Sequence, residues 1–222
     1  TLWRYTNNDQ QQGAVQLTVN GNLTTLDELT RQLPAGVYTT FRTFHKFKIL
    51  NLDMHIDRLE RSAELKSRPL SIDRRAFRAH LRSALETHPA QENRVRVIVA
   101  WNNKPESEVI YLAVEELRVP EKFLYIHGAK AKTVLLKRDN PQAKATDFIQ
   151  QTSRLRAEIT DGLNELLMVA ADGVILEGLS SNFFAIRQNA VYTNPVGVLP
   201  GITRELVLDI LHKIEMTVIL EG

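Results

Sequence analysis

The stretch Val174-Ile-Leu-Glu-Gly-Leu-Ser-Ser-Asn-Phe-Phe-Ala-Ile186, followed by Val198-Leu-Pro-Gly-Ile-Thr-Arg-Glu-Leu-Val207, decides how the chain is read. It is an apolar strand ending in a lone acid, Glu177, then a turn of small residues, a second apolar strand and a Pro-Gly-Ile-Thr helix entry. A helix N-terminus presents free backbone N–H groups and a partial positive charge, which suit a phosphate. A carboxylate at a buried strand end can hold a cationic ring nitrogen. Acid and anion seat therefore lie close together in the sequence.

Outward from this stretch, the pattern predicts strands over Lys132–Leu136, Glu165–Ala170, Gly173–Leu176, Phe183–Arg187 and Ala190–Thr193. It predicts helices over Asp147–Asp161 and Thr203–Lys213, with Thr203 a suitable N-cap. Further upstream, the β-branched and aromatic run Val37–Phe44 predicts a strand, His45-Lys46 a hairpin tip and Phe47–Asn51 the return. Apolar spacing at Ile56, Leu59, Ala63 and Lys66 predicts a helix over Asp53–Lys66. A second helix follows over Asp73–Thr87, capped by Ser71 or Asp73, with Phe77, Leu81 and Leu85 on its buried face. Arg94–Trp101 and Val109–Val114 pair across the Asn-Asn-Lys-Pro turn, and a polar helical stretch lies near Leu26–Leu33. The expectation is an α+β protein of two domains with a cleft between them. A small N-terminal α+β domain covers 1–118, a connection 119–128, and a larger C-terminal α/β domain 129–222.

Composition narrows the function classes. Hydrophobic content of 43%, charged content of 24% and a net charge of +2 are ordinary for a globular protein. Basic residues are scattered without interleaved aromatics, so no nucleic-acid groove is expected, and no run approaches a membrane span, so no membrane partner is expected. The lack of cysteine removes disulfides and thiolate metal sites and fits a reducing cytoplasm. The histidines show no metal-ligand spacing, so no metal is expected. Ser180 and Ser181 lack a nucleophile elbow, and the glycines form no nucleotide loop.

Three motifs in order, His55-Ile-Asp-Arg58-Leu, Glu177-Gly178-Leu-Ser-Ser-Asn182-Phe-Phe and Leu199-Pro-Gly-Ile-Thr-Arg204, resemble the class IV aminotransferases, the fold-type IV pyridoxal-phosphate enzymes. The likeness runs from about Gly36 to the end of the chain. It implies pyridoxal 5′-phosphate as cofactor, amino acid and 2-oxo acid substrates, and a homodimer. Lys144, in Asn140-Pro-Gln-Ala-Lys-Ala-Thr-Asp147, matches the lysine that carries the cofactor. Such a lysine must be neutral to react, which requires burial or neighbouring cations. Glu177 matches the partner of the pyridine nitrogen, with Ser181 and Asn182 in its turn. Arg58, Ile202 and Thr203 match the phosphate ligands.

Tyr38, Thr40 and Arg42 alternate on one strand and so share a face, which in the family lines the substrate side. The implied activity is amino transfer between a branched-chain or D-amino acid and a 2-oxo acid. The alternative is a 4-amino-4-deoxychorismate lyase, in which Thr40 assists elimination; Val37-Tyr-Thr-Thr-Phe-Arg42 resembles that branch, Leu179-Ser-Ser-Asn182 the D-amino acid transaminases. A module that keeps the fold and only binds ligand is the reading from another class. Family members continue past the strand-like run Met216–Leu220 into strands carrying a second phosphate-binding threonine, so the C-terminal domain is expected to lack its final strands.

Overall fold

The alternating strand signal around Gly36–Arg42 becomes one edge of a five-stranded antiparallel sheet in the computed structural model, which describes residues 1–6, 14–17, 25–101, 108–160 and 162–221. The strands are β1 (Leu2–Thr6), β2 (Val15–Leu17), β3 (Gly36–Arg42), β4 (Asn93–Ala100) and β5 (Val109–Glu116), in the order β2-β1-β5-β4-β3. Helices α2 (Leu52–Leu65) and α3 (Arg74–Thr87) lay Ile56, Leu59, Ala63, Phe77, Leu81 and Leu85 on one sheet face, against Val37, Phe41, Val95, Val97 and Val99. Helix α1 (Leu26–Gln32) covers the other face, where Leu26 and Leu29 meet Tyr38 and Ile98. Asp73 caps α3, its carboxylate accepting from the N–H groups of Arg75 and Ala76.

Contacts divide the chain into two units, Thr1–Val119 with Ala143–Gln150, and Pro120–Gln142 with Gln151–Gly222. Residues 143–150, counted with the C-terminal domain on sequence grounds, thus pack in the first unit. The reason is an added run of backbone pairing along the edge of β3. Ala145 bridges Val37, Tyr38 N–H donates to Lys144 O at 2.9 Å, and Thr146 N–H donates to Gly36 O at 2.9 Å. Gly36 is required there, since a Cβ would lie 2.0 Å from Val99 O.

The second unit contains α4 (Lys122–His127), β6 (Lys130–Leu135), α5 (Asp147–Gln151), which straddles the division, α6 (Ser153–Ala157), β7 (Leu163–Val169) and β8 (Ile175–Gly178). β9 (Ala185–Arg187), β10 (Ala190–Tyr192), α7 (Ile202–Lys213) and β11 (Thr217–Ile219) complete it. β6 and β7 are parallel and β8 returns antiparallel; β10 pairs antiparallel with β9 and parallel with β11.

Several local expectations are corrected. Phe47–Asn51 forms no return strand. His45 and Lys46 adopt positive φ, a single Phe44–Lys48 bridge closes the loop, and left-handed Asn51 enters α2, while β4 pairs with β3 instead. The helix expected over Asp147–Asp161 breaks at buried Thr152, whose hydroxyl accepts from Arg156 Nε at 3.0 Å. Thr203 is not the N-cap of α7; Gly201 is. Strands β1 and β2 and helix α4 carry no sequence signal strong enough to have been anticipated. The Asn102-Asn-Lys-Pro105 turn and Asp161 lie outside the described residues.

Candidate functional site

In the first unit the candidate residues gather along β3. The backbone of Lys144 is fixed on both sides: its N–H donates to Ser62 Oγ at 3.1 Å, and its C=O accepts from Tyr38. The side chain is half-buried, with Nζ 4.8 Å from the centre of the Tyr38 ring. A solvated surface lysine, the ordinary fate of a lysine before a helix, is not what the structure shows. Arg58 is likewise withdrawn from solvent, and burial lowers its guanidinium to about 10. It does not pair with its neighbours Asp57 and Glu60; both bind Arg74 of α3. Arg58 Nη2 donates instead to Thr39 Oγ1 at 2.5 Å, and Thr39 Oγ1 lies 2.8 Å from His55 Nδ1. Burial, reinforced by the charges of Arg58 and Lys144, pushes His55 from 6.5 down to about 3.

Tyr38, Thr40 and Arg42 occupy the opposite sheet face from Thr39. Arg96 Nε donates to Thr40 Oγ1 at 3.2 Å, and its guanidinium lies 4.9 Å from the Tyr38 ring centre. Arg42 pairs with Glu92 and lies over the Phe44 ring.

In the second unit Glu177 is 2% exposed and central to a hydrogen-bonded cluster. Its Oε1 accepts from Arg138 Nε at 2.7 Å, and its Oε2 accepts from Asn182 Nδ2 at 3.0 Å and Leu199 N–H at 3.2 Å. Asn182 also donates to Leu199 O at 2.9 Å, and its Oδ1 lies 2.0 Å from where a Cβ on Gly201 would be. One amide thus ties the acid to the start of α7, so Gly201 admits no side chain. Ile202 is buried there and Thr203 exposed, and Gly201 makes no side-chain cap. Both helix N–H groups belong to the first turn, which has no intrahelical acceptors. Ser181 Oγ donates to Glu165 Oε2 at 2.9 Å, bracing the turn.

Lys144, Arg58, Tyr38, Thr40 and Arg42 are therefore grouped on the first unit, and Glu177, Ser181, Asn182, Ile202 and Thr203 on the second. Sequence reasoning missed Arg138, buried on its own loop and joined to an acid 39 residues away. It also missed Thr39 and the part played by His55. An arginine outside any periodic pattern leaves no local trace, although the His-x-x-Arg spacing on α2 could have flagged His55, since such residues share a helix face.

A family model, amino-transferase class IV, matches residues 36–221. The chain belongs to the class IV aminotransferase family. It is 27% identical over 195 residues to the "probable branched-chain-amino-acid aminotransferase" of Thermotoga maritima, covering 85% of this chain and 67% of that protein. It is 28% identical over 207 residues to the D-alanine aminotransferase of Bacillus licheniformis (82% and 67%), and 23% identical over 193 residues to the aminodeoxychorismate lyase of Bacillus subtilis (78% and 64%). The chain thus spans about two thirds of the length of the curated relatives it matches. A hypothetical aminotransferase from Mycobacterium tuberculosis, solved in a PLP-bound form, superposes with a TM-score of 0.72 at 19% identity, covering 98% of this chain and 80% of that one. The expected fold, an α+β fold-type IV architecture, is the one observed.

Among the described residues, no helix is long and apolar enough to cross a membrane, and no three His, Asp or Glu come together as a metal-binding group.

Proposed function

We propose that the chain is a pyridoxal 5′-phosphate-dependent transaminase, moving an amino group between a branched-chain or D-amino acid and a 2-oxo acid. The Glu177 cluster carries this reading. A buried carboxylate, fixed through both oxygens and tied by Asn182 to a helix N-terminus, meets the needs of a pyridinium nitrogen and a phosphate together. The donor set of the first unit fits the same group: Arg58 for the phosphate, Lys144 for the carbonyl.

Pyridoxal phosphate held here would supply a carbonyl for the amino group and an electron sink for the bond that breaks at substrate Cα. The chain's residues do the rest. Lys144 Nζ carries the proton removed from substrate Cα, and its pinned backbone keeps that amine in place. Glu177 keeps a proton on the ring nitrogen, and Arg138 holds Glu177 Oε1. Arg58 and the N–H groups of Ile202 and Thr203 would hold the phosphate, with Ser181 and Asn182 shaping the turn that follows Glu177. Tyr38 and Arg42 line the substrate side. The working assembly in this reading is a homodimer, which sedimentation velocity measures directly.

Borohydride reduction of the loaded protein followed by peptide mapping tests the reading. Reduced cofactor should appear on the Lys144 peptide, and Lys144→Ala should lose it together with about a thousandfold in rate. Label on another lysine, or none, would refute the assignment. One observation favours the lyase as a second reading: Thr40 Oγ1 accepts from Arg96, which leaves the Thr40 proton free to be donated. Keto acid formed from D-alanine or L-leucine with 2-oxoglutarate supports the transaminase. Pyruvate released from aminodeoxychorismate without any amino acceptor supports the lyase.

A further inference from the structure

Arg58 is a withdrawn cation for which, among the described residues, no carboxylate lies within ion-pair distance, and its Nε has no hydrogen-bond partner. What holds it is neutral. Nη2 donates to Thr39 Oγ1 at 2.5 Å and lies 3.4 Å from His55 Nδ1, while Thr39 Oγ1 is 2.8 Å from that same nitrogen. A guanidinium can only donate, so Thr39 Oγ1 accepts from it; a proton on His55 Nδ1 would face the Arg58 N–H as well, so the Thr39 hydroxyl turns its own proton toward that nitrogen. His55 Nδ1 is then an acceptor, and the ring is the neutral tautomer protonated at Nε2. Both partners are rigid: Thr39 is fully buried on β3, and His55 stands edge-on to the Phe41 ring at 5.0 Å.

Three other arginines behave differently. Arg74 gathers Asp53, Asp57 and Glu60, Arg96 takes Asp27, and Arg138 takes Glu177. The acids beside Arg58 in sequence are drawn away to α3. We propose that His55 and Thr39 are positioning residues that aim the Arg58 guanidinium while leaving its charge uncancelled, so that it meets a phosphate at full strength. This rests on the cofactor reading above and assigns to two further side chains the task of keeping the phosphate seat cationic. A carboxylate in place of either would orient Arg58 equally well and compete with the phosphate.

The test uses the full chain stripped of cofactor, with affinities measured for pyridoxal phosphate, pyridoxal and inorganic phosphate. His55→Asp should weaken pyridoxal phosphate and inorganic phosphate about tenfold or more, because a new anion faces Arg58 at close range. Pyridoxal, which lacks the phosphate, should change by less than about threefold, since no charge facing Arg58 is involved. His55→Asn retains a neutral acceptor near the Nδ1 position and should restore phosphate selectivity, which a purely structural role for the ring would not predict. Thr39→Val, nearly isosteric, should lower the same selectivity and serves if His55→Asp does not fold. Equal loss of pyridoxal and pyridoxal phosphate affinity, or unchanged phosphate affinity in His55→Asp, would overturn the inference. Failure of the wild type to bind any pyridoxal form would sink the cofactor reading; inorganic phosphate would still report on Arg58 and decide this one.

Discussion

Two arginines flank strand β3 on opposite faces, bound to adjacent threonines. Arg96 donates to Thr40 and Arg58 to Thr39. Arg96 is also paired with Asp27 at 2.6 Å and bonded to Thr30 at 2.9 Å, so its charge is spent inside the fold. Arg58 has only a hydroxyl and a neutral imidazole. The same kind of side chain, one from β4 and one from α2, is therefore structural on one face of β3 and available on the other. What separates them is whether an acid reaches the guanidinium, since burying a charge is costly unless something compensates it.

The comparison breaks most visibly on the Arg96 side. Asp27→Ala should destabilise the protein by about 3 kcal/mol in chemical denaturation, because it leaves Arg96 buried and unpaired. A loss under about 0.5 kcal/mol, the usual size for a surface substitution, would mean that Arg96 is compensated otherwise. The next effect is one of pH. His55 titrates near 6.5 when unfolded and near 3 when folded, so the unfolded chain binds the extra proton first. Its contribution is complete above 6.5 and is lost as pH falls through that window towards 3. The cofactor-free protein should lose about 2 kcal/mol by pH 5 through this group, and His55→Asn should flatten that part of the profile. The groups facing the imidazole are Arg58 on its own helix, Lys144 beside β3, and the uncharged Thr39 and Phe41. The smallest effect on the fold should come from Arg58→Leu. Removing an uncompensated cation should leave stability unchanged or raised by about 1 kcal/mol, while pyridoxal phosphate affinity falls about thirtyfold. Marked destabilisation by this variant would place Arg58 with Arg96 as a structural residue.

Much of this was legible beforehand. Ile56, Leu59 and Ala63 reported α2, and Phe77, Leu81 and Leu85 reported α3, because helical periodicity is local and survives the loss of all other context. The Glu177–Asn182 turn and the approach to α7 were legible because turn-forming small residues and Pro-Gly are local signals too, proline fixing φ and glycine admitting conformations closed to other residues. The return strand over Phe47–Asn51 failed because β4, with seven residue pairs along β3, competes better for it than a local hairpin does. Thr203 is not the cap because the helix already begins at Ile202, which leaves Gly201 as N-cap at a place where Asn182 admits no side chain.

By itself the sequence determined the family, the two long helices of the first unit and most of the longer strands, and which residue types could serve phosphate, ring nitrogen and carbonyl. Those properties depend on short-range spacing and on the chemistry of single side chains. Only the tertiary structure decided which charges are cancelled. Asp57 and Glu60 stand beside Arg58 in the chain yet go to Arg74; Arg138 finds Glu177 across 39 residues. Coulomb energy follows distance through space and the local exposure to water, and neither is written in the order of residues.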